Sequence, residues 1–352
     1  MILFEKRIAL YVITYSSAIY LIVSSLKAFC YLQIDIETEI RELISYDEYL
    51  RPTTETISSY AIQHSRKRVL VLMNGQMRGG EIAWNSLQKY VLDYYDADLA
   101  YIGPPLNRSG VEKNVVKRMK MLWEYEDPED WATYFVRPKH RETDLLTLRS
   151  ICLFREIHTS DQFLGGVKLN NTCRHPGSAG MLLAYRRLAL EKVIENDLNS
   201  KYDWIIYTRT DYLYLCHPPR LDALMENFIY IPRGEEYGGI TDRLHYIPGK
   251  LISKALNITN NILSDPFSWL FPLREGANLE QLLATYYAAE KILFRKFRHV
   301  AFTVRTEEDP SSWSLGFKHS ILQKFRLSPK YKKEIINAVK TCSVVQCKLT
   351  QD

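Results

Sequence analysis

The chain lacks the cysteine spacing of a zinc protein. Its six cysteines include no CxxC pair, and no Cys/His cluster has ligand spacing, which excludes a structural metal site of that kind. It also lacks G-x-G-x-x-G and G-x-x-x-x-G-K-[ST], so neither a dinucleotide-binding fold nor a P-loop is supported. No repeat or low-complexity tract runs through it. Its 46 Lys and Arg are scattered among 41 Asp and Glu, so the net charge of +5 makes no basic stripe for a nucleic acid, although it suits a small anionic ligand. His175, His217 and His245 have no triad partner at a recognisable spacing.

What is present is an ordinary globular composition, 46% hydrophobic and 25% charged over 352 residues, which accommodates one large α/β domain with extras. Ile8 to Leu26 is an uncharged apolar run close to the roughly 20 residues that a bilayer-spanning helix needs. Lys6 and Arg7 precede it and Asp35, Glu37 and Glu39 follow, so the charge bias predicts an uncleaved anchor with a cytosolic N-terminus; a cleaved signal peptide is the alternative. The predicted division is a cytosolic segment 1–7, an anchor 8–26 in the lipid bilayer, a polar stem 27–67, a folded domain 68–340 and a tail 341–352. Sequons at Asn107, Asn170 and Asn257 would be glycosylated on a secretory route. Cys342 and Cys347 are spaced for a local disulfide, whereas Cys152 and Cys216 read equally well as free buried thiols.

Arg68 to Asn74 is a short, continuously apolar run, the pattern of a strand buried on both faces of a parallel sheet. Gly75, Gly79 and Gly80 follow, around Gln76 and Arg78, and Ile82 to Tyr95 then has helical spacing. This order suits a ligand-binding βα turn, and a bare glycine turn with no ligand is the competing reading. Ala97 to Ile102 predicts a second strand, Leu182 to Leu198 a helix, Asp203 to Leu215 a central strand and Asn227 to Pro232 another. The alternation predicts an α/β domain, a mostly parallel sheet flanked by helices, preceded by one transmembrane helix.

The central strand is the strongest functional signal. It carries Arg209 and Asp211 between Ile206 and Leu215, and a carboxylate buried without a partner costs several kcal/mol. Either a ligand or metal receives these charges, or they form a structural ion pair at the sheet edge.

Together the segments between about Arg68 and Arg305 resemble the GT-A class of nucleotide-sugar-dependent glycosyltransferases. The resemblance rests on Gly75-Gln76-Met77-Arg78 after the first strand, on Arg209-Thr210-Asp211 where many relatives carry Asp-x-Asp, and on Pro232, Gly238-Gly239 and Asp242-Arg243. It implies a nucleotide-sugar donor, a glycan, protein or lipid acceptor, and no nucleic acid. It places Asn74, Gly75, Gln76, Arg78, Arg209 and Asp211 at the donor, with Asp211 as ligand of Mn²⁺ or Mg²⁺ and Arg209 as a fixed cation in place of the first acidic residue. Glu280, at a predicted helix start, and Asp242 are the candidates for the base that takes the acceptor proton; each also reads as a capping or turn residue. Tyr237 and Tyr246, near glycines, are candidates to stack on a sugar, whereas Trp204 and Tyr207 read as core. The implied location is a single-pass type II protein of the Golgi or endoplasmic reticulum with a lumenal domain. Two alternatives stay open: an inactive lectin-like or scaffolding relative, and a sulfotransferase, whose Lys and Ser/Thr the Asn74 to Gly80 loop lacks.

Overall fold

The computed structural model describes residues 67–107, 113–126, 179–234, 236–265, 268–269, 278–306 and 326–349. The expected anchor, nearly all of the expected stem and His175 lie outside them. Among the described residues no helix is long and apolar enough to cross a membrane.

The first half of the described chain runs β1 (Val69–Asn74), α1 (Gly80–Leu87), β2 (Asp98–Gly103), α2 (Lys113–Arg118), β3 (Met119–Glu124), α3 (Ala179–Glu195), β4 (Trp204–Arg209) and β5 (Tyr212–Tyr214). It continues through β6 (Ile229–Pro232), β7 (Leu244–Pro248), α4 (Gly249–Leu256), α5 (Ile258–Ser264), α6 (Leu279–Ala289), β8 (Phe294–Phe297), β9 (Ala301–Thr306), β10 (Leu327–Pro329) and α7 (Lys332–Leu349).

A seven-stranded sheet has the order β3-β2-β1-β4-β7-β6-β8, and a three-stranded sheet the order β10-β9-β5. Strands β3, β2, β1 and β4 run parallel to one another. Strand β7 turns antiparallel to β4 and β6, and β8 runs parallel to β6. The sheet is therefore mixed and mostly parallel.

All six residues of β1 are buried, as its unbroken apolar run requires of a strand covered on both faces. Successive side chains point to opposite faces, so one strand feeds two cores. Leu70 and Leu72 join Ile205, Tyr207 and residues of α3 to α6. Val69, Val71 and Met73 join Trp204, Ile206, α1, the smaller sheet and α7. A sheet between two apolar layers results.

Two expectations are corrected. The stretch Asp203 to Leu215 is not one strand: β4 ends at Arg209, and β5 leaves for the smaller sheet, pairing Tyr212 with Thr303 and Tyr214 with Ala301. Both halves are apolar and no Gly or Pro marks the break, so the sequence reads as continuous; the crossing falls where charge interrupts the run. Cys342 pairs with Cys216 rather than with Cys347, and it does so from within α7, a helix that runs across the expected domain end at residue 340.

Candidate functional site

In parallel α/β sheets ligands bind outside the carboxyl ends of the strands where the strand order reverses. Here the chain goes from β1 outward to β2 and β3, then returns to β4 on the other side of β1. The reversal lies between β1 and β4, whose last residues, Asn74 and Arg209, are opposite each other. The Gly75 to Gly80 turn and the Arg209 to Asp211 crossover leave the sheet side by side at that point.

Hydrogen bonds to backbone carbonyls and close packing join the two. Gly75 has φ +94°, in the left-handed region that glycine favours, and its N–H donates to Ile102 O at 2.9 Å. The Thr210 hydroxyl donates to Gln76 O, and Trp84 Nε1 donates to Thr210 O at 3.0 Å. A Cβ on Gly79 would lie 2.7 Å from Thr210 O and 3.0 Å from the Asp211 Cα, so only glycine permits this approach. Strand β9 bridges both segments: Val304 N–H donates to Asp211 O at 2.8 Å and Thr306 N–H to Arg78 O at 3.3 Å. Arg305 is thereby set between the turn and the crossover.

The side chains form a cationic cluster around one carboxylate. Asp211 is 1% exposed and accepts from Arg209 Nε at 2.9 Å and Nη2 at 2.8 Å; Arg305 Nη2 lies 3.2 Å from its Oδ2. Burial alone would push the Asp211 carboxyl up, but the two guanidiniums outweigh it and hold the group well below the usual carboxylate range. Lys330, directly after β10, is fixed by its N–H to Thr303 O at 2.9 Å. Burial, and then Arg209, Arg243 and Arg305, push its ammonium down to about 7.

On the neighbouring side two carboxylates come together. Asn278 caps α6 through a capping box with Gln281, which sets Glu280 in the first turn. Ile240 N–H donates to Glu280 O at 2.9 Å, and a Cβ on Gly239 would sit 2.0 Å from that oxygen. The Gly238-Gly239 pair is thus a close-packing device that brings the Asp242 segment onto the start of α6. Burial, and then the charge of Asp242, push the Glu280 carboxyl up to about 7. Arg186, 1% exposed on α3, donates to Asp242 O at 3.3 Å, and Arg243 is held by Glu334 at 2.9 Å and the Tyr331 hydroxyl at 3.0 Å.

The fold thus gathers Gly75, Gln76, Arg78, Arg209 and Asp211 at the strand-order reversal, with Asp242 and Glu280 beside them. Asn74 turns into the sheet, where Nδ2 donates to Thr208 O at 2.7 Å. Tyr246 is fully buried in the core, so it cannot stack on a sugar, whereas Tyr237 is 42% exposed. Trp204 and Tyr207 are core residues, as their sequence setting predicts. His245 is buried between the Tyr287 hydroxyl at 2.9 Å and Thr241 O at 2.6 Å, a structural setting. Sequence reasoning missed Arg305, Lys330, Tyr331 and Glu334. Arg305 carries the same signal as Arg209, a charge within an apolar strand; Lys330 carries none.

A divalent ion does not fit the donor set at Asp211. Both carboxylate oxygens are taken by guanidiniums, and among the described residues no group of three His, Cys, Asp or Glu side chains converges on a cation position. A metal there would face Arg209, Arg305 and Lys330 at close quarters.

No protein-family model and no curated protein matches the chain. Among solved structures it is similar to the glycosyltransferase GlyE of Streptococcus pneumoniae TIGR4, with 12% identity and a TM-score of 0.34 over 66% of this chain and 45% of that one. It is also similar to mouse xyloside xylosyltransferase 1, with 10% identity and a TM-score of 0.35 over 74% of this chain and 93% of that one. The chain spans less than half the length of the pneumococcal structure. Likeness at identities and TM-scores this low carries no argument about chemistry.

Proposed function

We propose that the chain transfers a sugar from a nucleotide diphosphate to an acceptor hydroxyl on a glycan, protein or lipid. The observation that carries this reading is the juxtaposition of the Gly75 to Gly80 turn with the Arg209 to Asp211 crossover at the strand-order reversal, beside an acidic pair. The cationic half suits a diphosphate, whose charge grows as the sugar departs. The acidic half suits the acceptor. Its oxygen attacks the anomeric carbon, the bond to the diphosphate oxygen breaks with its electron pair, and the hydroxyl proton passes to Glu280. A carboxylate raised toward neutrality by burial and by Asp242 is a stronger base than an ordinary one.

The apolar run at 8–26 would hold this domain in the lumen of the Golgi or endoplasmic reticulum. A disulfide between Cys216 and Cys342 accords with that oxidising compartment. The test is a panel of nucleotide sugars offered to the purified chain with mixed acceptors, reading released nucleotide diphosphate. One donor should be consumed, and Arg78→Ala should weaken its binding by about 1 to 3 kcal/mol, the worth of a charge-assisted hydrogen bond. Binding without turnover of any donor would support the inactive lectin-like alternative, and no binding at all would overturn the reading.

A further inference from the structure

The cations at the strand-order reversal come from separate elements of the fold. Strand β9 presents Arg305 between Arg78 and Asp211 through the bonds from Val304 N–H and Thr306 N–H, and Ser328 of β10 is paired with Arg305 in register. Lys330 follows two residues later, returning to Thr303 O at 2.9 Å. The pairing of β10 with β9 therefore sets Lys330 next to the cluster, its ammonium 5.0 Å from the Tyr331 ring centroid and within electrostatic reach of Arg209, Arg243 and Arg305. Asp211 is engaged by both guanidiniums, and Arg243 is engaged by Glu334. The remaining nearby carboxylates, Asp242 and Glu280, lie on the acceptor side.

We propose that Lys330, with Arg209 and Arg305 oriented by Asp211, holds the diphosphate as a set of fixed cations, so that nucleotide binding needs no divalent ion. Asp211 is then an orienting residue that splays two arginines toward the phosphates, and not a metal ligand. The inference rests on the transferase reading. The ligand supplies what the cluster needs: its phosphate oxygens accept from three donors that otherwise repel one another, which also restores Lys330 to its charged form.

The experiment is isothermal calorimetry on the full chain with UDP, GDP, CDP and ADP, each in EDTA and again with Mn²⁺. At least one nucleotide should bind in EDTA, with an affinity that Mn²⁺ changes by less than about threefold. Lys330→Met should weaken that nucleotide by about tenfold to a hundredfold, the worth of a charged hydrogen bond, and Lys330→Arg should recover most of it. A nucleotide that binds only with Mn²⁺ would overturn the fixed-cation inference while leaving the transferase reading intact. So would unchanged affinity in Lys330→Met. Should that variant fail to fold, the comparison of EDTA with Mn²⁺ on the unaltered chain still decides. No binding of any nucleotide under either condition would remove the transferase reading and this inference with it.

Discussion

At the residue scale, Asp211 stabilises the fold and organises the site at once. It is ionised in the native state well below its ordinary range, so by linkage it contributes stability that is fully present above the unfolded value of about 3.9 and is lost as the pH falls toward the native one. Asp211→Asn leaves Arg209 and Arg305 buried without their carboxylate, which should cost about 3 to 5 kcal/mol. Thermal melts should show that loss near neutrality and a shrinking difference from the unaltered chain in acid; a variant as stable as the parent would show that the arginines are held by something else. Glu280 has the opposite sign. Its native value near 7 lies above that of the unfolded chain, so it subtracts stability progressively as the pH rises from about 4.5 through 7. Glu280→Gln should therefore melt higher than the parent at about pH 8 while losing turnover, the signature of a group kept for chemistry at the expense of stability. A variant that melts lower and keeps its turnover would make Glu280 a cap and nothing more.

At the scale of elements, contacts between loops decide the geometry. Gly239→Ala places a methyl group 2.0 Å from Glu280 O, against backbone that cannot swing away, so the 238–242 segment must part from the start of α6. Turnover should fall, and the pH at which Glu280 titrates should move down toward ordinary carboxylate values as the parted segment relieves its burial and carries Asp242 away; an unmoved titration would show that the 238–242 segment does not cause the shift. These loop contacts are only partly legible in the sequence. Strand β1 can be read from its apolar run, and the turn after it from three glycines. The start of α6 can be read near Glu280, whereas its capping box between Asn278 and Gln281 emerges only from the fold. The crossover is hidden because Tyr212 to Tyr214 continues the apolar pattern of β4 although it belongs to another sheet. Lys330 is hidden for a different reason: it reaches the site through pairing of β10 with β9, and such long-range pairing leaves no local pattern around Ser-Pro-Lys-Tyr. Tyr246 is misleading because a glycine nearby suggests exposure, when its register opposite Ile206 puts it in the middle of the sheet.

At the scale of the whole molecule, β1 and the segment from β10 into α7 meet at the strand-order reversal although they lie far apart in the described sequence. The Cys216–Cys342 disulfide spans 126 residues and ties α7 to the turn after β5, so the segment carrying Lys330, Tyr331 and Glu334 is anchored on both sides of the site. Loop-closure entropy for a separation of that size corresponds to about 5 kcal/mol of stabilisation. The Cys216→Ser, Cys342→Ser double variant should melt well below the parent and should bind nucleotide diphosphate more weakly, while added reductant should change the parent and not the variant. Equal melting temperatures would mean that α7 docks by its apolar face alone.

The most direct measurement of the central claim, that a nucleotide diphosphate sits where the strand order reverses, is photoaffinity labelling with azido-nucleoside diphosphates followed by peptide mapping. Adducts are expected in the segments containing Gly75 to Gly80, Arg209 to Asp211 and Arg326 to Tyr331, and the unlabelled nucleotide should compete them away. Competed adducts confined to other segments, or no competed adduct with any nucleotide, would contradict it.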